Sequence, residues 1–79
     1  MPTSIYHPNY QSLRSAMIAA RKAAGLTQVQ MAQKLCVGQS YVSKIERGES
    51  YVDVMTLVDW CHACSLNPGA SLDQIIQTF

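Results

Sequence analysis

The side chains best suited to metal binding or redox chemistry are the two thiols and the imidazole of Cys61-His62-Ala63-Cys64. A C-x-x-C pair is typical of zinc and redox sites, but it supplies only half of a tetrahedral zinc site. The sequence has no second pair, so Cys36 or His7 would have to be recruited by the fold. The same spacing suits the buried face of a helix, and free cysteine is among the most buried residue types. We therefore expect both cysteines in the core, with no metal or other cofactor.

No other arrangement of residues predicts an enzyme. The sequence contains no Ser, His and carboxylate spacing that resembles a nucleophilic triad, no Gly-rich phosphate loop and no recognisable pair of catalytic acids. A thioredoxin-like use of the C-x-x-C pair needs neighbouring strands, and the strand pattern is missing. A chain of 79 residues forms one small core. These observations favour a binding domain over an enzyme.

Cysteine usage and hydropathy indicate where such a domain works. Three cysteines are an odd number, which argues against a disulfide scaffold and fits a reducing compartment. No apolar run approaches the roughly 18 residues that a membrane span needs. The opening MPTSIYHPNY has neither a basic start nor an apolar segment, so it does not resemble a secretory signal. We expect a cytoplasmic protein with no membrane contact.

The stretch from residue 27 to residue 48, TQVQMAQKLCVGQSYVSKIERG, predicts two short helices joined by a tight turn. Thr27 and Gln30 form a capping box for the first helix. The second helix is expected to start at Gln39, after Gly38, and to end at Gly48. Each helix has about eight residues, too few to be stable alone in water, so both must pack on the rest of the chain.

This stretch resembles the helix-turn-helix of the lambda-repressor-like family, which includes phage repressors and Cro-type bacterial regulators. The wording GLTQ…QSYVSKIERGE carries the resemblance, which continues more weakly from about residue 10 to residue 65. It implies a compact, all-α, five-helix DNA-binding domain. One position departs from the family pattern, because Cys36 occupies the turn where the family usually has Gly. The resemblance implies that Cys36 adopts a left-handed backbone conformation.

The resemblance also implies roles for individual side chains. In such proteins the second helix of the motif enters the major groove, with its first residues facing base edges. Gln39 can bond adenine, Lys44 can reach guanine, and Ser40 can bond any base. Phosphate or thymine-methyl contacts are expected from flanking positions. The predicted DNA-binding set is Gln28, Gln39, Ser40, Tyr41, Ser43, Lys44 and Arg47. Arg21 is expected to form a largely buried structural ion pair with Glu46.

The charge distribution agrees with this reading. Residues 1–45 contain no acid and five basic side chains, whereas residues 46–79 contain five acids and Arg47. A purely basic half that includes the proposed reading helix fits attraction to phosphate. Ordinary solvated charge is the alternative explanation.

The remaining segments complete a single domain over residues 9–79, preceded by a flexible arm over residues 1–8. Asn9 is a candidate cap for the first helix, and Asp53 for the fourth, whose apolar face is predicted from Val54, Leu57, Val58 and Cys61 and leaves Trp60 outside. Ser71 and Gln74 suggest a capping box for the last helix.

Two functions remain open. The first is a dimeric, sequence-specific regulator, expected to be a repressor, that reads a pseudo-palindromic site in double-stranded DNA. The second is a protein-interaction module, such as an antitoxin-like subunit, that binds a protein partner with its acidic half. We recognise no ligand-binding domain, so we expect sensing to come through a partner or through concentration. The apolar side of the last helix is expected both to close the core and, with part of its residues, to contact a second copy, and the candidate dimer residues are Leu72, Ile75, Ile76 and Phe79.

Overall fold

The structure is a computed structural model that describes residues 4–79, and the elements in that range are five α-helices without a strand. Their bounds are α1 Pro8–Ala23, α2 Gln28–Leu35, α3 Gln39–Arg47, α4 Val54–Ala63 and α5 Pro68–Ile76. This confirms the all-α, five-helix prediction. No helix in the described range has both the length and the apolar character needed to cross a membrane. Residues 1–3 of the predicted arm lie outside the described residues.

Most of the core is built from side chains of the first four helices. Met17, Met31, Val42, Ile45 and Trp60 are each exposed by 2% or less. The indole Nε1 of Trp60 donates a hydrogen bond of 2.9 Å to the carbonyl oxygen of Met17. This one bond satisfies the only polar group of the largest core side chain, and it ties the middle of α1 to α4.

The predicted apolar face of α4 is partly wrong. Trp60, placed outside that face, is 1% exposed, while Val54, placed on it, is 75% exposed. The reason is that α4 packs against both α2 and α5, so more than one side of the helix is covered. A single apolar stripe describes a helix that packs on one neighbouring surface, and it fails where two neighbours share a short helix.

Three of the five predicted helix starts are confirmed, and one of them is the start of α3 at Gln39 after Gly38. Thr27 and Gln30 form the reciprocal capping box, with bonds of 3.1 and 2.9 Å. The carboxylate of Asp53 accepts the N–H of Thr56 at 2.7 Å, and this bond holds the pKa of Asp53 below its usual value. The charged form of Asp53 is therefore the form that caps α4.

The starts predicted for α1 and α5 are wrong. Helix α1 begins at Pro8, one residue before the predicted cap Asn9, and the imidazole of His7 accepts the N–H of Asn9. Helix α5 begins at Pro68, and Asn67 caps it through the N–H of Ala70. Proline fits the first position of a helix because the N–H it lacks would have no partner there. Pro8 and Pro68 therefore each mark the start of a helix.

The first four helices end in the same way, with one residue in the left-handed conformation. These residues have φ angles of 74°, 57°, 77° and 58°, and they are Gly25, Cys36, Gly48 and Ser65. In each case the next residue donates its N–H to a carbonyl five residues back, as from Val37 to Ala32. This is the Schellman arrangement. Two of the four positions hold a residue other than glycine, and the left-handed conformation expected at Cys36 is present.

Candidate nucleic-acid interface

Helix α3 has one buried and one exposed side. Val42 and Ile45 are buried in the core, whereas Gln39, Ser40 and Lys44 are exposed. At 100° per residue, these three exposed positions fall within one arc on the side away from the core. The helix therefore presents one amide, one hydroxyl and one ammonium group to solvent, and its packing on the core holds this surface in place.

A hydrogen-bonded ion pair fixes the inner side of α3 to α1. Arg21 donates to both carboxylate oxygens of Glu46, at 2.6 and 3.0 Å, and to the carbonyl of Leu26 at 2.7 Å. The side chains of Arg21 and Glu46 are exposed by only 10% and 7%. Removing one partner of such a pair leaves an uncompensated buried charge and costs about 3–5 kcal/mol. The pair expected from the family resemblance is present, and it sets the position of α3 on α1.

The side chain of Gln28 extends this network to α2. Its Nε2 donates to Glu46 at 3.0 Å, and its Oε1 accepts the hydroxyl of Ser43 at 2.8 Å. Gln28 and Ser43 were predicted to face DNA, but in the structure they are half-buried and bonded to each other. These two side chains join α2 to α3. The second hydrogen on Nε2 makes no hydrogen bond among the described residues, so a phosphate contact by Gln28 stays a prediction.

Tyr41 also lies apart from the exposed side of α3. Its ring packs against the core, and its hydroxyl pairs with that of Thr56 in α4 at 3.2 Å. A DNA contact by Tyr41 at the flank of the reading surface stays a prediction. Tyr41 links α3 to α4 through this hydroxyl pair and through the packing of its ring against the core.

Arg47, the last residue of α3, is exposed and paired with Glu49. The hydrogen bond between the two side chains raises the pKa of Arg47 and lowers the pKa of Glu49, and their Coulombic attraction adds to both effects. An exposed pair of this kind contributes little to stability. It does mean that Arg47 must exchange a carboxylate for a phosphate if it is to contact DNA.

Arg14 has no role in the sequence-based predictions, but in the structure it lies at the end of α3. Its guanidinium lies against Gly48, where an added Cβ would come within 2.7 Å of Cζ. The Nη1 atom is buried and has no hydrogen-bond partner among the described residues. Arg14 precedes Arg21 by seven residues, which is two helical turns. That spacing is the one sequence signal that both arginines face α3.

A comparison with protein families places these features in a known group. A helix-turn-helix family model matches residues 17–69, about two-thirds of the chain. The chain belongs to the XRE-type, lambda-repressor-like helix-turn-helix family. No curated protein sequence matches it at a significant level.

Similar solved structures agree with this family assignment. An XRE-family-like protein from Pseudomonas syringae pv. tomato is 37% identical, with a TM-score of 0.84 over 89% of this chain and 85% of that chain. Two structures of the clp gene regulator ClgR from Corynebacterium glutamicum are each 25% identical, with TM-scores of 0.78. They cover 91% and 92% of this chain, and 77% and 95% of theirs. These similarities support a DNA-binding transcriptional regulator.

The four predicted dimer residues at the C-terminal end of this helix-turn-helix domain differ in their exposure. Ile75 is 8% exposed and belongs to the core, which fits the expectation that part of this apolar side closes the core. Leu72, Ile76 and Phe79 are exposed by 40%, 49% and 54%. Ile75 points inward because α5 packs on α1 and α4, whereas the other three lie on its outer side.

The cysteines of the C-x-x-C pair are both buried. Burial, followed by the effect of Cys61, raises the pKa of the Cys64 thiol, which disfavours the thiolate that metal binding and exchange require. Among residues 4–79, no cluster of three or more His, Cys, Asp or Glu side chains has the arrangement of a metal site. The position of the pair is that of core residues, as the helical spacing predicted.

Proposed function

We propose that this protein is a sequence-specific transcriptional repressor that reads a pseudo-palindromic DNA site as a homodimer. Gln39, Ser40 and Lys44 read base edges, with Gln39 bonding adenine and Lys44 bonding guanine. Arg47 and the N-terminus of α2, which begins at Gln28, contact phosphates.

One observation carries this proposal. The exposed side of α3 is held in place by a hydrogen-bonded network along its flank, formed by Arg21, Glu46, Gln28 and Ser43 and centred on a largely buried ion pair. A helix of nine residues in an ordinary helical domain does not need a buried charge pair for stability, because apolar residues of similar size do as well. A fixed orientation is what base readout demands, since bidentate hydrogen bonds to bases require defined geometry.

The direct test compares Gln39→Ala with a matched control, Gln77→Ala, which removes the exposed glutamine at the C-terminal end of α5. A preferred DNA site is first selected from a random pool, and gel shifts then give affinities for that site and for unrelated DNA. Gln39→Ala should lose about 1–3 kcal/mol on the preferred site and little on unrelated DNA. Gln77→Ala should match the original protein on both.

Equal losses on both DNAs would assign Gln39 to phosphate contact. Absence of any preferred site would favour the protein-interaction alternative. Gln28→Ala should weaken binding to all sequences more evenly, because it alters how α2 and α3 are joined and contributes no base contact.

The dimer is the second part of the proposal. A single α3 contacts too few bases for useful specificity, and two copies must lie about 34 Å apart to meet one face of the duplex. The outer side of α5 offers Leu72, Ile76 and Phe79 for a two-fold interface.

Sedimentation of Ile76→Glu tests this assignment. The matched comparison is Val54→Glu, which places the same charge on the other exposed apolar patch, at the start of α4. Ile76→Glu should shift the protein to monomer, and Val54→Glu should not. The reverse result would move the interface to α4, and a monomer at high concentration with and without DNA would contradict the dimer itself.

A further inference from the structure

A groove of about 420 Å³ runs between α1 and α5, and residues of α4 line its base. Its buried lining residues are Met17, Trp60, Cys61 and Ile75, which together make an apolar floor. This volume is within the range of small-molecule sites in proteins, which also occur between the helices of bundles.

The walls of the groove consist of small residues on α1 and short polar residues on α5. Ala16, Ala19 and Ala23 line the α1 side with short side chains, and Ser71 and Gln74 line the α5 side. No charged side chain lines any part of it. An apolar floor with a few neutral hydrogen-bonding groups at the mouth matches an uncharged molecule that has an apolar body and one polar end.

The groove is separate from the proposed dimer surface. On α5 it is lined by residues 71, 74, 75 and 78, which share one side of the helix. The exposed apolar residues Leu72, Ile76 and Phe79 lie on the adjacent side and take no part in it. A second copy that covers those three residues therefore leaves the groove without an occupant.

We infer that the groove between α1 and α5 is a binding site for an uncharged, mainly apolar small molecule. Such a ligand contacts Met17 and Ala20 on α1, the helix whose Arg21 holds α3 through Glu46. The site goes beyond the proposed function, because DNA reading as described requires no ligand.

The test uses N-phenyl-1-naphthylamine, an uncharged fluorescent probe. Trp60 is the only tryptophan and lies on the floor of the groove, so a bound probe should quench its emission and gain fluorescence by energy transfer. The anionic analogue 8-anilino-1-naphthalenesulfonate should bind more weakly, because no cation lines the groove. Binding should also raise the melting temperature, since the probe binds the folded state.

Two variants fill the groove from α1, Ala19→Leu and Ala23→Leu, and each should raise the dissociation constant of the probe by about tenfold or more. Ser15→Leu is the matched control, because Ser15 is exposed on α1 and does not line the groove. Leu72→Ser should also leave probe binding unchanged. Circular dichroism and melting curves establish that each variant is folded.

Three results would overturn the inference. The first is absence of probe binding to the original protein, and the second is equal binding by Ala19→Leu, Ala23→Leu and Ser15→Leu. The third is a shift from dimer to monomer in Ala19→Leu, which would make the groove a contact between copies. Gel shifts of Ala19→Leu without probe should match the original protein, so failure of this site is distinguishable from failure of the DNA-binding proposal.

Discussion

The two helix ends that flank α3 share one backbone conformation and differ in what surrounds them. Cys36, before α3, has φ 57° and an exposed side chain. Gly48, after α3, has φ 77°, and a Cβ there would overlap the guanidinium of Arg14. The third comparable end, Gly25, has φ 74° and no heavy atom within 4 Å of an added Cβ.

This comparison separates two reasons for glycine at a helix end. A left-handed conformation costs a residue with a Cβ about 1–2 kcal/mol, which a chain can bear at an exposed turn such as Cys36. Close approach of another side chain is a separate requirement, and it applies only at Gly48. The sequence shows glycine at both Gly25 and Gly48, so it cannot distinguish the two reasons.

The largest expected effect comes from Gly48→Ala. The new Cβ adds backbone strain and displaces the guanidinium of Arg14, so the free energy of unfolding should fall by about 2–3 kcal/mol. Urea unfolding followed by circular dichroism measures the change. The same substitution in an Arg14→Ala background should cost only the strain, about 1–2 kcal/mol. Equal costs in both backgrounds would mean that Arg14 moves aside freely.

Cys36→Val is expected to cause the next largest loss of stability. A β-branched residue tolerates positive φ least, so the variant should lose about 1–2 kcal/mol of stability relative to Cys36. A thermal melt of the two proteins under reducing conditions gives the difference. Should Val prove as stable as Cys, the turn between α2 and α3 would have to relax away from the left-handed conformation.

Gly25→Ala should cost about 1 kcal/mol, less than Gly48→Ala. The strain is the same at both glycines, but Gly25 faces open space, and alanine lowers the entropy of the unfolded chain. Parallel urea titrations of the two variants give the comparison. If Gly25→Ala is as damaging as Gly48→Ala, contact with Arg14 is not the source of the difference.

The smallest effect, and the only gain, is expected from Cys36→Gly. Glycine removes the strain of the Cβ at the cost of a more flexible unfolded chain, so stability should rise by about 0.5–1 kcal/mol. Melting temperature is the readout, with Ser65→Gly as a second left-handed position in the same assay. A clear loss of stability would show that the side chain of Cys36 makes a favourable contact at the surface.

Much of the motif could be predicted because its determinants are local. The capping box of Thr27 and Gln30 depends on residues three apart, and the helix end at Gly48 depends on one residue. The pair of Arg21 and Glu46 spans 25 residues and came only through the family resemblance. Features without a local or familial signal were missed or misplaced.

Residues whose positions the sequence does not determine share a physical reason. Trp60 is buried and Val54 exposed because two elements pack on α4, which no single-helix pattern encodes. Tyr41 lies on the boundary between the exposed and buried sides of α3, where helical spacing leaves either position open. The position of Arg14 depends on the approach of α1 to the end of α3, which is a tertiary contact.

Because the ion pair between Arg21 and Glu46 is buried, it should respond to ionic strength differently from the exposed cations that face DNA. Mobile ions screen exposed charges over about 8 Å at physiological salt but have little access to side chains that are 10% and 7% exposed. Contacts from exposed cations such as Lys44 to phosphates weaken steeply as salt rises, because bound counterions return to the DNA. Concentrated salt should therefore release the domain from DNA while α3 keeps its place on α1. On dilution the released protein can bind again at once, since no part of the reading surface has to refold.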